Sequence, residues 1–144
     1  MLRDPSLIPL SHDHQRALGL CVLVGRSLKE DGSAENVAEQ SRRVLAKFDA
    51  EIQAHFAIEE DVLFPALGAY PGAAALIDEL QVEHVEIQAV VAAIRAGAGR
   101  SDLERFCLLL PAHIRKEEQQ LFQQAQQLLS REELARLGTQ LSQR

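Results

Sequence analysis

Apolar residues along this chain recur at alternating intervals of three and four, the spacing that gathers side chains on one face of an α-helix. The first such run holds Leu10, His14, Ala17, Cys21, Val24 and Leu28 and stops near Asp31-Gly32. Ser11 is its expected N-cap. The second holds Val37, Val44, Phe48, Ile52, His55, Glu59 and Val62, and is expected to end before Pro65, because proline lacks the N–H that continues a helix. After the Pro/Gly break PALGAYPG the third run holds Ile77, Leu80, His84, Ile87, Val91 and Ile94, and it stops at GAGR, residues 97–100. The fourth holds Leu103, Phe106, Leu110, His113, Glu117, Leu121 and Leu128, opened by Ser101-Asp102. Pro111 inside it should remove one hydrogen bond and bend the axis. In SREEL, Ser130 and Glu133 form a capping-box pattern that starts a short last helix. The strict alternation of a half-buried strand is absent.

Four amphipathic helices with short connections predict an all-α, antiparallel up-down four-helix bundle with a short extra C-terminal helix, one domain over residues 1–144. One feature conflicts with an ordinary core. Each of the four inward stripes carries a histidine, and two also carry a glutamate. A carboxylate in the core is costly unless it is paired or bound to a metal. The connections put these residues at matching heights. His84 and His113 lie equally far from the break at 97–100, and His55 and His84 nearly so from the Pro/Gly loop. His14 joins them if the first loop extends toward Asn36. The four histidines are therefore expected in one layer of the bundle.

Two of the stripes also repeat a string. Residues 54–64 read AHFAIEEDVLF and residues 112–122 read AHIRKEEQQLF. In each, histidine and the first glutamate stand four residues apart, on one helix face. Composition narrows the rest. A net charge of −6 argues against a nucleic-acid surface and against an anionic membrane. No apolar run approaches a membrane span, and the N-terminus lacks the pattern of a signal peptide, so a cytoplasmic protein is expected. Cys21 and Cys107 are too few for a disulfide framework and read as small apolar residues.

Four imidazoles and two carboxylates at one level suit a dinuclear metal centre. Imidazole favours zinc, copper, iron or nickel, and a carboxylate can bridge two ions about 3.5–4 Å apart. The candidate ligands are His14, His55, Glu59, His84, His113 and Glu117. The order His-x-x-x-Glu differs from the H-E-x-x-H zinc motif, in which the glutamate is a base.

These residues resemble the haemerythrin-like (HHE cation-binding) family, single-domain bacterial type. The matching segments are HDH at 12–14, HFAIEE at 55–60, EH at 83–84 and HIRKEE at 113–118, in the family's helix order and over nearly the whole chain. The resemblance implies two non-haem iron ions bridged by oxide or hydroxide, with Glu59 and Glu117 also bridging. It implies terminal histidines in pairs, His14 with His55 and His84 with His113. Oxygen-carrying relatives have a fifth histidine one turn after the third-helix ligand, where this chain has Gln88. More open coordination than in a carrier is therefore expected. The nitrogen-rich donor set should keep iron(II) accessible to O2, NO or peroxide.

The expected function is binding or sensing of O2, NO or a related small molecule, with a separate protein partner or a homodimer as possible assemblies. Whether the protein is also an enzyme is open. The alternatives are turnover of peroxide or NO, or donation of iron for iron–sulfur cluster repair, and then iron storage or a structural metal. His12 is expected to face away from the core, and Glu60 and Glu118, a hundred degrees round from the ligands, to be solvated, with contact to a ligand imidazole as the alternative. Asp13 is expected in the first helical turn, where it favours the helix dipole. Tyr70 is expected at a surface turn, and the five phenylalanines in the core, some of them walling the site.

Overall fold

The computed structural model describes residues 2–97 and 99–143. Its helices are α1 (Ile8–Glu30), α2 (residues 34–68), α3 (Pro71–Arg95), α4 (residues 100–128) and α5 (Arg131–Ser142). No strand occurs among the described residues. The first four helices form the bundle, with α1 packed on α2 and α4, and α3 packed on the same two. The fifth closes one end. Ala98, in the break predicted at 97–100, lies outside the described residues. No described helix is long and apolar enough to cross a membrane.

Caps and prolines set the ends, with three departures from expectation. First, α1 starts at Ile8, a turn before Ser11, because Leu7 and Leu10 are fully buried and Pro9 in the first turn sacrifices no hydrogen bond. Asp13 is consequently not in the first turn. Second, α2 begins at Ala34 on the Ser33 cap, whose hydroxyl accepts the Asn36 N–H at 3.2 Å, so the first loop is short. Third, α2 runs through Pro65 to residue 68. The capping box at Ser130 and Glu133 is fully formed.

The physical reason for the third departure is a set of wide, π-helical turns. They span Phe48–Ile52, Glu59–Leu63 and Glu117–Leu121. The Gln53, Phe64 and Phe122 N–H groups reach back five residues, to the carbonyls of Phe48, Glu59 and Glu117. The turn before Pro65 shifts the carbonyl that a proline ring would strike. Each such turn inserts one residue, so the buried stripe slips by one. Leu63 is buried where Val62 was expected, and Leu129 where Leu128 was expected. The turn at Phe48–Ile52 also takes up part of the extra length that separates His55 from the first loop.

The core is two apolar clusters. One holds Leu20, Val24, Phe48, Phe56, Ile87, Phe106 and Leu110 among others. The other holds Leu10, Leu63, Phe64, Leu80, Leu121 and Phe122, and α5 completes it with Leu134, Leu137 and Leu141. Close approach of α5 is possible because residue 138 is glycine; a Cβ there would stand 3.0 Å from the Ser6 backbone. All five phenylalanines are buried. A polar layer separates the two clusters.

Candidate metal centre

That layer contains all six predicted ligands. His14, His55, His84 and His113 are 1–5% exposed, and Glu59 and Glu117 are fully buried. On α1, His14 lies between Leu10 of one cluster and Ala17 of the other, and on α3 His84 lies between Leu80 and Ile87. Both glutamates begin a π-helical turn, a local irregularity often found at functional sites.

The imidazoles share one orientation. Each turns Nε2 inward, where His14 meets Glu117 Oε1 at 2.9 Å and His84 meets Glu59 Oε1 at 3.1 Å. His113 Nε2 lies 3.5 Å from Glu117 Oε2, and 3.1 Å from His84 Nε2. His55 Nε2 is 3.3 Å from Glu59 Oε2 and 3.9 Å from Glu117 Oε1, in hydrogen-bond geometry with neither. Two groups of four donors follow, His14 with His55 and His84 with His113, each completed by both glutamates. Within each group the donor atoms lie within 4.8 Å of one another.

Each imidazole turns Nδ1 outward onto a carboxylate from a neighbouring helix. His55 meets Asp13 at 2.8 Å, His84 meets Glu60 at 2.8 Å, His113 meets Glu83 at 2.7 Å, and His14 meets Glu118 at 2.5 Å. The pattern closes on itself: α1 holds the α2 histidine, α2 the α3 histidine, α3 the α4 histidine, and α4 the α1 histidine. With Nδ1–H directed to these acids, loss of the Nε2 proton to an incoming cation would leave the Nε2 lone pair facing the centre, the tautomer a metal ligand needs. Three acids are themselves anchored. Asp13 pairs with Arg16, Glu83 with Lys116, and Glu118 with Arg3 and the Ser11 hydroxyl.

For Glu60 and Glu118 the alternative, contact with an imidazole, holds over solvation alone, and the expectation that Asp13 serves a helix dipole is corrected. A residue a hundred degrees from the core direction points at the seam with the next helix, within reach of that helix's histidine. The usable signal was an acid directly beside a candidate ligand on every helix: Asp13, Glu60, Glu83 and Glu118. His12 is exposed, as expected. Gln88 is also exposed, on the outer face of α3, and has no part in the site. The buried neighbours of His84 along α3 are Leu80 and Ile87, so the inward face follows the i−4 and i+3 positions. Openness inferred from Gln88 is thus withdrawn. Tyr70 is half-buried and its hydroxyl donates to Glu133 at 3.2 Å.

The donor chemistry fits cations. His55 Nε2, Glu59 Oε2 and Glu117 Oε2 are buried without a hydrogen-bond partner, an expensive state for polar atoms that a bound ion relieves. The electrostatics agree. Burial alone would lower the imidazole pKa values, but the surrounding carboxylates overcome it for His14, for His55 and for His113, which is pushed up to about 10. Burial would raise the Glu117 carboxyl, but Glu59 and the imidazoles of His113 and His14 hold it well below its ordinary value. The centre favours positive charge, as protons or as metal.

Aromatic rings wall this layer. Phe56 stacks on His84 with centroids 3.9 Å apart, and Phe122 stacks on His14 at 5.5 Å. A small cavity of about 20 Å³ touches His14, His55 and His113 between α1, α2 and α4, with Ala17, Ile52, Leu110 and Ile114 as its apolar wall and Asp13 and Glu51 among its lining.

A four-helix bundle with a buried His/Glu box between two apolar clusters defines a metal-binding helical protein. Residues 9–125 match the family described as the hemerythrin HHE cation binding domain, and the chain belongs to that family. No curated protein and no solved structure matches the chain.

Proposed function

We propose that this chain is a non-haem di-iron protein that binds or senses a small molecule such as O2 or NO. His14 and His55 would hold one ion, His84 and His113 the other, and Glu59 and Glu117 would serve both. The observation that carries this reading is the pair of donor groups sharing both carboxylates. The three orphaned buried atoms support it. Iron(II) bound there would supply electrons to, or a binding position for, the small molecule.

The chain's own residues have separable tasks. Asp13, Glu60, Glu83 and Glu118 fix the histidine tautomers. Phe56 and Phe122 keep the imidazole planes in place and exclude water. The cavity beside His14 and His55 has room for about one water-sized molecule, which favours a diatomic ligand or peroxide over anything larger.

One observation favours turnover of peroxide as a second reading. Asp13 and Glu51 line that cavity, so carboxylates that can carry protons stand beside the ligand's place. Anaerobic iron(II) loading followed by addition of O2, NO or peroxide tests both. A stoichiometric absorption change on one addition supports binding, and decay of peroxide over many turnovers supports the enzyme. No spectral response to any of the three contradicts the proposal.

A further inference from the structure

The outer carboxylates of the centre are held in different ways. Asp13 takes its cation, Arg16, from its own helix, and Glu83 takes Lys116 from α4. Glu118 is held by Arg3, which lies outside the bundle, on the short arm of residues 2–7 that leads into α1. Arg3 also precedes the stretch matched by the family, residues 9–125, so the family match does not account for it.

The arm is fixed to α4 and α5. The Leu2 carbonyl accepts from the Gln126 side-chain amide at 2.8 Å, and the Gln126 oxygen accepts the Asp4 N–H at 3.0 Å. Leu7 is fully buried, and Ser6 packs on Gly138 of α5. This anchoring carries Arg3 to the groups around His14. Its guanidinium donates to Glu118 Oε1 at 3.0 Å, to the Glu118 main-chain carbonyl at 2.9 Å and to Gln126 Oε1 at 3.2 Å. It also stands 5.0 Å from the centre of the Phe122 ring, within reach of a cation–π contact. The side chain is only 20% exposed, and charge-assisted hydrogen bonds gain strength away from water. Glu118 touches His14 at Nδ1, and Phe122 stacks on its ring. One planar guanidinium thus holds both groups that orient this imidazole from outside, a task for its fork of donors that a point charge performs less well.

We propose that Arg3 is a positioning residue for His14, and that the arm carrying it sets the affinity of the ion that His14 and His55 would hold, so that the two ions of the centre are not equivalent. Arg3 acts by fixing the Glu118 carboxylate and the Phe122 ring. His84 and His113 have other outer partners, Glu60 and Glu83, and do not depend on the arm. The statement about ions rests on the di-iron reading. The statement about His14 stands without metal.

The test uses the full chain and two readouts. In metal-free protein, NMR follows the imidazole Nδ1–H protons, with the His14 signal assigned by its loss in His14→Ala. Arg3→Ala should lose the His14 Nδ1–H signal to fast exchange with water while the His84 and His113 signals persist, a selectivity that general destabilisation would not produce. Arg3→Lys, which keeps a charge beside Glu118, should recover part of the signal. Where Arg3→Ala does not fold, Arg3→Met keeps the length of the side chain without its charge and should give the same loss. After anaerobic iron(II) loading, a titration against a competing chelator, read by native mass spectrometry, should show one iron bound about tenfold more weakly in Arg3→Ala, the lower end of the range for loss of an outer partner. The other iron should be held as in the parent. In a His14→Ala background, adding Arg3→Ala should weaken the remaining iron no further, because the two changes act through one residue. An unchanged His14 signal in Arg3→Ala, equal weakening of both irons, or a further fall in the double variant would overturn the proposal. A parent chain that takes up no iron would contradict the di-iron reading, and the metal-free readout would still decide the role of Arg3.

Discussion

Replacing Glu118 by alanine removes the acceptor 2.5 Å from His14 Nδ1 without touching any inward-facing donor. The imidazole then keeps its inner contact with Glu117 and its stacking on Phe122 but loses the outer acceptor that sets its tautomer. Loss of an outer partner of this kind typically weakens metal affinity about 10–100-fold, or about 1.4–2.7 kcal/mol. Glu118 also accepts from the Ser11 hydroxyl and pairs with Arg3, so the fold loses hydrogen bonds worth about 1 kcal/mol each. Affinity and stability therefore have to be measured separately. The assay is an anaerobic iron(II) titration against a competing chelator, beside denaturant unfolding of the metal-free variants. Glu118→Gln keeps an acceptor oxygen and should lose less affinity than Glu118→Ala. Glu104→Ala, whose carboxylate pairs with Arg100 far from the centre, should lose none. Equal affinity in Glu118→Ala and the parent chain, or an equal fall in Glu104→Ala, would refute the positioning role.

Other consequences follow from the same geometry. With its pKa raised to about 10, His113 binds a proton in the folded metal-free protein that the unfolded chain has released above about 6.5; that stabilisation is full below 6.5 and is lost as pH rises toward 10. Denaturant midpoints of metal-free protein should fall across that window, and a flat profile would contradict the electrostatic reading. Gln88→His should change neither metal content nor spectrum, and stability by less than about 0.5 kcal/mol, because the side chain faces solvent; a fifth nitrogen ligand in the spectrum would show otherwise. Phe106→Ala should cost about 3–5 kcal/mol in unfolding free energy, since Phe106 is fully buried. Iron bound per folded chain should stay the same in that variant, because the cavity opens in the apolar cluster and not in the polar layer.

The buried His/Glu layer was legible because helical spacing and burial are both written into residue order. His55 with Glu59, and His113 with Glu117, stood out as polar residues on apolar stripes, and the structure buries all four. The outer carboxylates were harder to read. Their partners sit on other helices, so their role depends on which helix is the neighbour and not on their own stripe. The π-helical turns were not legible at all, because a five-residue reach of the Phe64 and Phe122 N–H groups leaves no distinct spacing until the slip of the stripe at Leu63 and Leu129 is seen. Gln88 misled because an i+4 relation was taken as inward, where α3 turns its i−4 and i+3 neighbours inward instead.

The central claim is two ions that share Glu59 and Glu117. Metal content per folded chain, measured by native mass spectrometry after anaerobic iron(II) loading, tests it most directly when the parent chain is compared with His14→Ala and Glu117→Ala. The account predicts two irons in the parent, one in His14→Ala and none in Glu117→Ala, because Glu117 belongs to both donor groups and His14 to one. A single ion in the parent, or iron content that survives Glu117→Ala, would contradict it.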